Sequence, residues 1–153
     1  MAAKPLVIWK GGIPNTFRFS DGGRHDSKHT HEDNDCTVRA IAIAFGISYD
    51  SAYNFLQYHG RKPSDAYQIH ELLSDYCKQK LLFNCQISKI PFPTRKGYQR
   101  MNMAAFCHLY PTGTYILSCL QHVSTCIDGI IHDTWWRPNE CVYSAYHIIK
   151  TPL

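Results

Sequence analysis

The feature that most constrains the fold is an abrupt change from polar to apolar residues at position 36. Residues 29–35 are polar, whereas residues 36–45 would be apolar on nearly every face of a helix. Asn34 or Asp35 is a good N-cap for such a helix, and Gly46 is a good stop signal. Because a helix that is apolar on nearly all faces must be covered by other elements, the segment predicts a buried central helix.

This helix would place Cys36 in its first turn, with Arg39 as its one charged residue. The helix dipole and the free amide groups of a first turn favour an anion, so a thiolate there has a lowered pKa and is a usable nucleophile. Cys36 could instead be a small buried apolar residue, as most cysteines of cytosolic proteins are. The segment alone leaves both interpretations open.

Length and composition narrow the class of protein. A chain of 153 residues predicts one domain, spanning 1–153, with an ordinary core. No apolar run approaches the roughly 18 residues of a membrane span, and the apolar run near the N-terminus is too short for a signal peptide. Seven cysteines without a CxxC pair argue against a disulfide framework and a zinc finger, and favour a reducing, cytoplasmic location. A net charge of +4 on scattered basic residues does not suggest nucleic-acid binding.

Further helices are expected after the central one. The next runs over residues 49–59 with Ser48 as its N-cap, and the third is capped by Ser64. The inner positions of the third helix follow helical spacing and are Ile69, Leu72, Leu73 and Tyr76. A shorter helix over residues 101–109 must end before Pro111, since proline disfavours helical backbone at the residue before it.

Strand-like segments dominate the C-terminal half. Residues 81–87 are a plausible strand or the tail of the third helix, and residues 20–35 and 88–100 are expected to be loops. Two N-terminal segments could form a hairpin and four later segments are strands, namely residues 6–9, 16–19, 114–120, 122–127, 130–136 and 143–149. Because the main helices come first and the main strands afterwards, without βαβ alternation, the predicted fold class is α+β.

The pair Asp128-Gly129 is the strongest hairpin signal in the chain, since it is typical of a two-residue type I′ turn. With that turn, Ile127 pairs with Ile130. Side chains alternate between the faces of a sheet, so one face of the predicted hairpin carries His122, Ser124, Cys126, Ile131, Asp133 and Trp135.

Asp133 would then lie diagonally across from His122, within reach of a side-chain hydrogen bond. An aspartate on one imidazole nitrogen fixes the tautomer and leaves the other nitrogen to act on a thiol. Trp135 could cover this pair with an apolar ring, whereas His132 points to the opposite face. A surface or core role for His122, and a strand-end role for Asp133, are the alternatives.

Three motifs carry a resemblance to a known family: residues 35–42 (Asp-Cys-Thr-Val-Arg-Ala-Ile-Ala), residues 106–115 and residues 121–129. Together they resemble the papain-like cysteine peptidase superfamily. The chain looks most similar to small phage and bacterial proteins of that superfamily, which are similar to the peptidase domains of bacteriocin-processing transporters. The resemblance covers residues 35 to about 136.

The resemblance implies a papain-like fold in which an N-terminal helical part, with the central helix starting at the cysteine, packs on a C-terminal antiparallel sheet. It also implies a thiol hydrolase that needs no cofactor and acts on a protein or peptide substrate, in the host cytoplasm if a phage encodes it. Cys36 would be the nucleophile, His122 the general base and then acid, and Asp133 the group that orients His122. The interval of 86 residues between Cys36 and His122 is shorter than the roughly 130–150 of papain, so this would be a minimal version.

The oxyanion hole is the part of such a site that the sequence does not clearly supply. Larger relatives have a glutamine about six residues before the nucleophile, where this chain has Thr30. Asn34, or the backbone amide of Cys36, is the candidate donor in its place.

Other functions remain open from the sequence. Transglutaminases and arylamine acetyltransferases use a similar arrangement, so an acyltransferase is the nearest rival. A metal site is a second, with a solvated polar loop as the more ordinary interpretation, and its ligands would come from His25, His29, His31, Glu32, Asp33 and Cys36.

A third rival is a non-enzymatic phage protein that binds a host factor. Its contact surface would be the basic segment 89–100, which contains Lys89, Phe92, Arg95, Lys96, Tyr98 and Arg100. A solvated loop is the ordinary interpretation of that segment. Substrate, cleavage preference and oligomeric state are not indicated by the sequence.

Overall fold

The computed structural model of the chain describes residues 4–5, 16–78, 81–92 and 98–151. The helices in these ranges are α1 (Cys36–Phe45), α2 (Tyr49–Tyr58), α3 (His70–Lys78) and α4 (Met103–Leu109), with a short 3-10 helix at Arg24–Asp26. The strands are β1 (Lys4–Pro5), β2 (Phe17–Phe19), β3 (Cys85–Ile90), β4 (Tyr98–Gln99), β5 (Thr114–Cys119), β6 (His122–Ile127), β7 (Ile130–Asp133) and β8 (Ser144–Lys150). This mixture of helices and a largely antiparallel sheet confirms the predicted α+β class.

One six-stranded sheet, in the order β2-β7-β6-β5-β8-β3, forms the centre of the fold. Its neighbouring strands are antiparallel except β2 and β7, which are parallel. One face packs against α1, α2 and α3 and the other against α4, because successive strand residues such as Ile116 and Leu117 point to opposite sides. Among the described residues, no helix has the length and apolar character needed to cross a membrane.

Helix α1 is the buried central helix that the sequence predicted. Val38 and Ile41 are fully buried, and the helix ends at Gly46, whose left-handed φ of 65° few other residues adopt easily. Asp35 occupies the N-cap position, but its side chain makes no capping hydrogen bond. Its carboxylate instead accepts from Tyr49 and pairs with two arginines. The predicted N-cap position is therefore confirmed for Asp35, but its side chain does not cap the helix.

Helices α2 and α4 have the caps that their sequences favour. Ser48 accepts a hydrogen bond from the Ser51 amide at 3.0 Å, which confirms the predicted N-cap of α2. At α4 the side chain of Asn102 accepts from the Ala105 amide at 2.8 Å. Helix α4 therefore begins at residue 103, two residues later than predicted.

The predicted start of the third helix at Ser64 is wrong. Ser64 has a left-handed φ of 59°, and its amide donates to the carboxylate of Glu32. Arg61 binds the same carboxylate at 2.8 Å. These contacts hold the segment against the loop before α1, so α3 begins only at His70.

The predicted strand at residues 81–87 lies partly in the wrong place. Phe83 and Asn84 both have positive φ, and Leu82 and Cys85 bond across them in a tight turn. The strand starts after this turn and runs along β8 to Ile90, into a region predicted to be loop. Within that predicted loop, residues 98–99 pair with β1, and residues 93–97 lie outside the described residues.

The N-terminal hairpin is not tested as a whole, because residues 6–15 lie outside the described residues. The part that is described, Phe17–Phe19, forms a parallel pair with β7 at the edge of the sheet. The predicted strand at residues 130–136 ends at Asp133. Thr134, the residue after it, accepts a hydrogen bond from Arg39 of α1 through its hydroxyl at 2.7 Å.

Candidate active site

The Asp128-Gly129 turn has the predicted effect on register. Both residues have positive φ, and Ile127 pairs with Ile130 across it. His122, the first residue of β6, and Asp133, the last residue of β7, consequently share one face. His122 Nε2 lies 2.7 Å from Asp133 Oδ2, so the aspartate binds one nitrogen and leaves Nδ1 free for another partner.

The Cys36 thiol is the other hydrogen-bonding partner of the His122 side chain. Burial alone would raise the pKa of Cys36, but the hydrogen bond with His122 and the positive charge of that ring lower it below the ordinary value of 9.0. Burial would likewise lower the pKa of His122, but its hydrogen bonds with Asp133 and Cys36 raise it to about 9. The pair therefore favours a thiolate and an imidazolium, the ionised form of a cysteine nucleophile.

Asp133 is held by four donors in a buried position. Oδ2 accepts from His122 and from the Ser124 hydroxyl, whereas Oδ1 accepts from Arg39 Nη1 at 3.0 Å and from the Thr134 amide at 2.7 Å. Burial would raise the pKa of Asp133, but the hydrogen bonds from His122 and Ser124 and the charge of Arg39 lower it. The carboxylate thus stays ionised and fixed in orientation beside the imidazole.

Arg39 links the cysteine helix to this carboxylate, a role that the sequence analysis did not assign. It lies one turn after Cys36, is 8% exposed and forms ion pairs with Asp133 at 3.0 Å and Asp35 at 3.2 Å. Its charge also lowers the pKa of Cys36 after the larger effects of burial and His122. The sequence does carry a signal for this role, because Arg39 is the one charged residue in an otherwise apolar helix. A charge buried in this way needs an opposite charge nearby.

Asp35, at the start of α1, has two further partners besides Arg39. Arg24 Nη1 lies 3.0 Å from its carboxylate, and the hydroxyl of Tyr49 donates to it at 2.7 Å. Burial raises the pKa of Tyr49, and the hydrogen bond to Asp35 raises it further, so the phenol remains a donor. This network fixes the loop that leads into Cys36.

Cys36 and His122 open onto a cleft of about 410 Å³. Its walls come from the loop before α1, the start of α3 and the turn between β5 and β6, and they include Asn34, Tyr67, His70, Ser118 and Gln121. The volume lies in the ordinary range for a ligand-binding cleft, about 300–1,000 Å³.

The two groups that the sequence suggested as oxyanion donors are the side chain of Asn34 and the backbone amide of Cys36. Asn34 and Cys36 line the same cleft, and Asn34 Nδ2 donates one hydrogen to the Ser64 carbonyl at 2.9 Å. Because the Asp35 side chain does not cap α1, it leaves the first-turn amides of the helix without that acceptor. Thr30 is not among the residues that line the cleft.

Two of the three histidines in the loop before α1, His25 and His29, contact neighbouring side chains. His25 contacts Asp21 at 2.9 Å and Asp26 at 3.0 Å, and His29 stacks on Tyr53 with ring centroids 3.6 Å apart. Within ranges 16–78, 81–92 and 98–151, no three histidine, cysteine, aspartate or glutamate side chains converge as metal ligands would. The structure therefore does not bring together the ligand set considered from the sequence.

Two arginines outside the cleft stack on neighbouring aromatic rings. Trp135 is 57% exposed, and the Arg137 guanidinium stacks on it at 3.5 Å. The Arg100 guanidinium lies 4.7 Å from the Tyr143 ring. His132 pairs with Thr125 across β6 and β7 and takes no part in the site.

Comparison with known proteins leaves the chain to be interpreted from its own geometry. No protein-family model, no curated protein and no solved structure matches it.

Proposed function

We propose that the chain is a cysteine peptidase or related amide hydrolase that acts by acyl transfer, with Cys36, His122 and Asp133 as its catalytic triad. The observation that carries the proposal is the 2.7 Å contact between His122 and a buried Asp133, with the Cys36 thiol hydrogen-bonded to the same imidazole. We also propose that the fold is a small papain-like one. In support, a buried helix beginning at the cysteine packs on a largely antiparallel sheet that carries the other two residues.

The reaction would start from the ion pair. The Cys36 thiolate attacks the substrate carbonyl carbon, and the C=O electron pair moves onto oxygen. When the tetrahedral species collapses, the C–N bond breaks and His122 Nδ1 gives its proton to the leaving amine. The result is a thioester on Cys36 and a neutral His122, still bound to Asp133 through Nε2.

Hydrolysis completes the cycle. His122 Nδ1 takes a proton from water as the water oxygen attacks the thioester carbon. Cleavage of the C–S bond releases the carboxylic acid and restores the ion pair. Through both steps, first-turn amides of α1, together with Asn34, are the proposed donors to the oxyanion.

Selective alkylation tests the nucleophile. Treated with iodoacetamide at low concentration and pH 7, the protein should be modified first at Cys36, as mapped by peptide mass spectrometry. Cys77 is the matched internal control, because it is also half-buried but burial raises its pKa. Equal labelling of Cys36 and Cys77, or unchanged total labelling after Cys36→Ser, would remove the support for a special thiol.

Turnover is tested separately with a mixture of peptides and with an added amine as acyl acceptor. A hydrolase gives products that carry one water per cleaved bond, and the Cys36→Ser variant gives none. Products that carry the amine instead would identify the chain as an acyltransferase, the nearest rival function.

A further inference from the structure

A second polar cluster lines the same cleft as Cys36. Ser118 Oγ lies 3.0 Å from His70 Nε2, and His70 Nδ1 lies 3.0 Å from the hydroxyl of Tyr146. Ser118 is 4% exposed and sits in the apolar strand β5, where an unpartnered hydroxyl would be costly. His70 and Ser118 both line the cleft, so this cluster is accessible to a bound substrate.

We propose that His70 and Ser118 form a subsite that holds an uncharged carboxamide side chain of the substrate, glutamine or asparagine, beside Cys36. The proposal rests on the proposed function, since it names the substrate class of the same site. It assigns His70 and Ser118 to substrate recognition and leaves the bond-making steps to the triad.

The hydrogen-bond inventory of the cluster supports a carboxamide. Both ring nitrogens of His70 already have hydrogen-bond partners, Tyr146 and Ser118. The group that can still form a hydrogen bond with a substrate is therefore the Ser118 hydroxyl. The hydrogen bonds from Ser118 through His70 to Tyr146 can be reversed in direction without creating a charge. The Ser118 hydroxyl can therefore either donate to a substrate or accept from it. A carboxamide matches both states, because it carries an NH₂ donor and a carbonyl acceptor.

The charges around the cleft argue against an ionic side chain. None of the described residues that line it is an aspartate, glutamate, lysine or arginine. Burial lowers the pKa of His70, and Lys89 lowers it further, so His70 is neutral at pH 7. A glutamate or lysine side chain held by His70 and Ser118 would lose water without gaining an ion partner in that cluster, since the charges of Cys36 and His122 are paired with each other. The amides of Asn34, Gln68 and Gln121 add further neutral donors and acceptors to the walls.

Peptidyl vinyl sulfones that differ in one residue test the subsite, because they capture a nucleophilic cysteine without needing a known cleavage site. Four otherwise identical dipeptidyl probes would carry glutamine, glutamate, lysine or leucine next to the reactive carbon. Intact-mass spectrometry follows the modification of Cys36. The glutamine probe should react at least about tenfold faster than the glutamate and lysine probes, and several-fold faster than the leucine probe.

Serine variants connect that preference to the cluster. Ser118→Ala should reduce the glutamine-to-glutamate rate ratio to within about threefold, and Ser118→Thr, which keeps a hydroxyl, should retain most of it. Ser144→Ala is the matched control, because Ser144 of β8 is also buried and pairs with Ser118 of β5 but is not among the residues lining the cleft. A wild-type protein without the preference, or a Ser118→Ala variant that keeps it, would overturn the subsite.

A small neutral reagent separates failure of the subsite from failure of the proposed function. Methyl methanethiosulfonate is too small to need a subsite, so it should modify Cys36 faster than Cys77 in wild type and in Ser118→Ala. If Cys36 reacts faster than Cys77 but the four probes react at equal rates, the proposed subsite is wrong, whereas the proposed role of Cys36 as nucleophile is still supported. If Cys36 reacts no faster than Cys77 with this reagent, both the proposed function and the proposed subsite are contradicted.

Discussion

The two histidines of the cleft, His122 and His70, have opposite ionisation although both are partly buried. Burial lowers the pKa of each. At His122 the hydrogen bonds with Asp133 and Cys36 outweigh burial and raise the pKa to about 9. At His70 the partners are the hydroxyls of Tyr146 and Ser118, which carry no charge, and the pKa stays below 6.5.

The difference shows that the partner, more than the depth, decides whether a buried histidine is charged. One end of the cleft is consequently an ion pair suited to attack a carbonyl, and the other is a neutral hydrogen-bonding surface. In the proposed function, such a division would let one small cleft combine a reactive thiolate with the recognition of an uncharged group.

The largest expected effect comes from Asp133→Asn, which removes the charge that distinguishes the two histidines. Arg39 and the Thr134 amide both donate to Oδ1, so the new amide nitrogen must take the Oδ2 position and donate to His122 Nε2. The proton of His122 then moves to Nδ1, which can no longer accept the Cys36 proton. Capture of a peptidyl vinyl sulfone should slow by about 10²–10⁴-fold.

His70→Ala is the companion variant, because it alters the neutral end of the cleft alone, and both variants are compared with methyl methanethiosulfonate, which does not need the subsite. The rate of His70→Ala with this reagent should remain within about threefold of wild type. A comparable loss in His70→Ala and Asp133→Asn would show that the two ends are not chemically separate.

A large effect on stability is expected for Arg39→Met, since it leaves Asp35 and Asp133 buried without their shared cation. Breaking a buried ion pair by removing one partner typically costs about 3–5 kcal/mol, and urea denaturation would measure it. Arg137→Met is the control, because Arg137 and Glu140 are partly exposed and 3.7 Å apart. Its cost should stay within about 1 kcal/mol, and equal costs for the two variants would contradict the assigned role of Arg39.

The two histidines should titrate on opposite sides of 6.5, as measured by NMR of ring-labelled protein. His122 should lose its proton near pH 9, and His70 should gain one only below pH 6.5. The raised pKa of His122 contributes stability that is fully present below pH 6.5 and is lost as pH rises through about 9. The lowered pKa of His70 contributes stability that is present above pH 6.5 and is lost as pH falls below it. The variants His122→Ala and His70→Ala should therefore change the pH dependence of the free energy of unfolding in opposite directions.

The smallest effect is expected for Tyr146→Phe, which removes one hydroxyl and keeps the ring. His70 Nδ1 then loses its partner at 3.0 Å, which should lower the free energy of unfolding by about 1–2 kcal/mol. The rate of alkylation at Cys36 should not change. A loss of Cys36 reactivity in Tyr146→Phe would mean that the neutral cluster supports the triad.

Local patterns predicted a large part of the fold and of the candidate site. Period-two alternation and the Asp128-Gly129 turn were sufficient to place His122 and Asp133 on one face. The polar-to-apolar change at position 36 located α1 to the residue. Ser64 was misjudged because its amide binds Glu32, 32 positions away in the sequence, and no local propensity reports such a contact.

The sequence by itself determined the α+β class, the helix that begins at Cys36 and the hairpin that aligns His122 with Asp133, because these depend on residues within about a dozen positions. The tertiary structure decided what lies against them. Arg39 meets Asp133 across 94 positions, and Ser118 meets His70 across 48. Charge and burial at those contacts arise only when distant segments pack together, and they set which histidine of the cleft is charged.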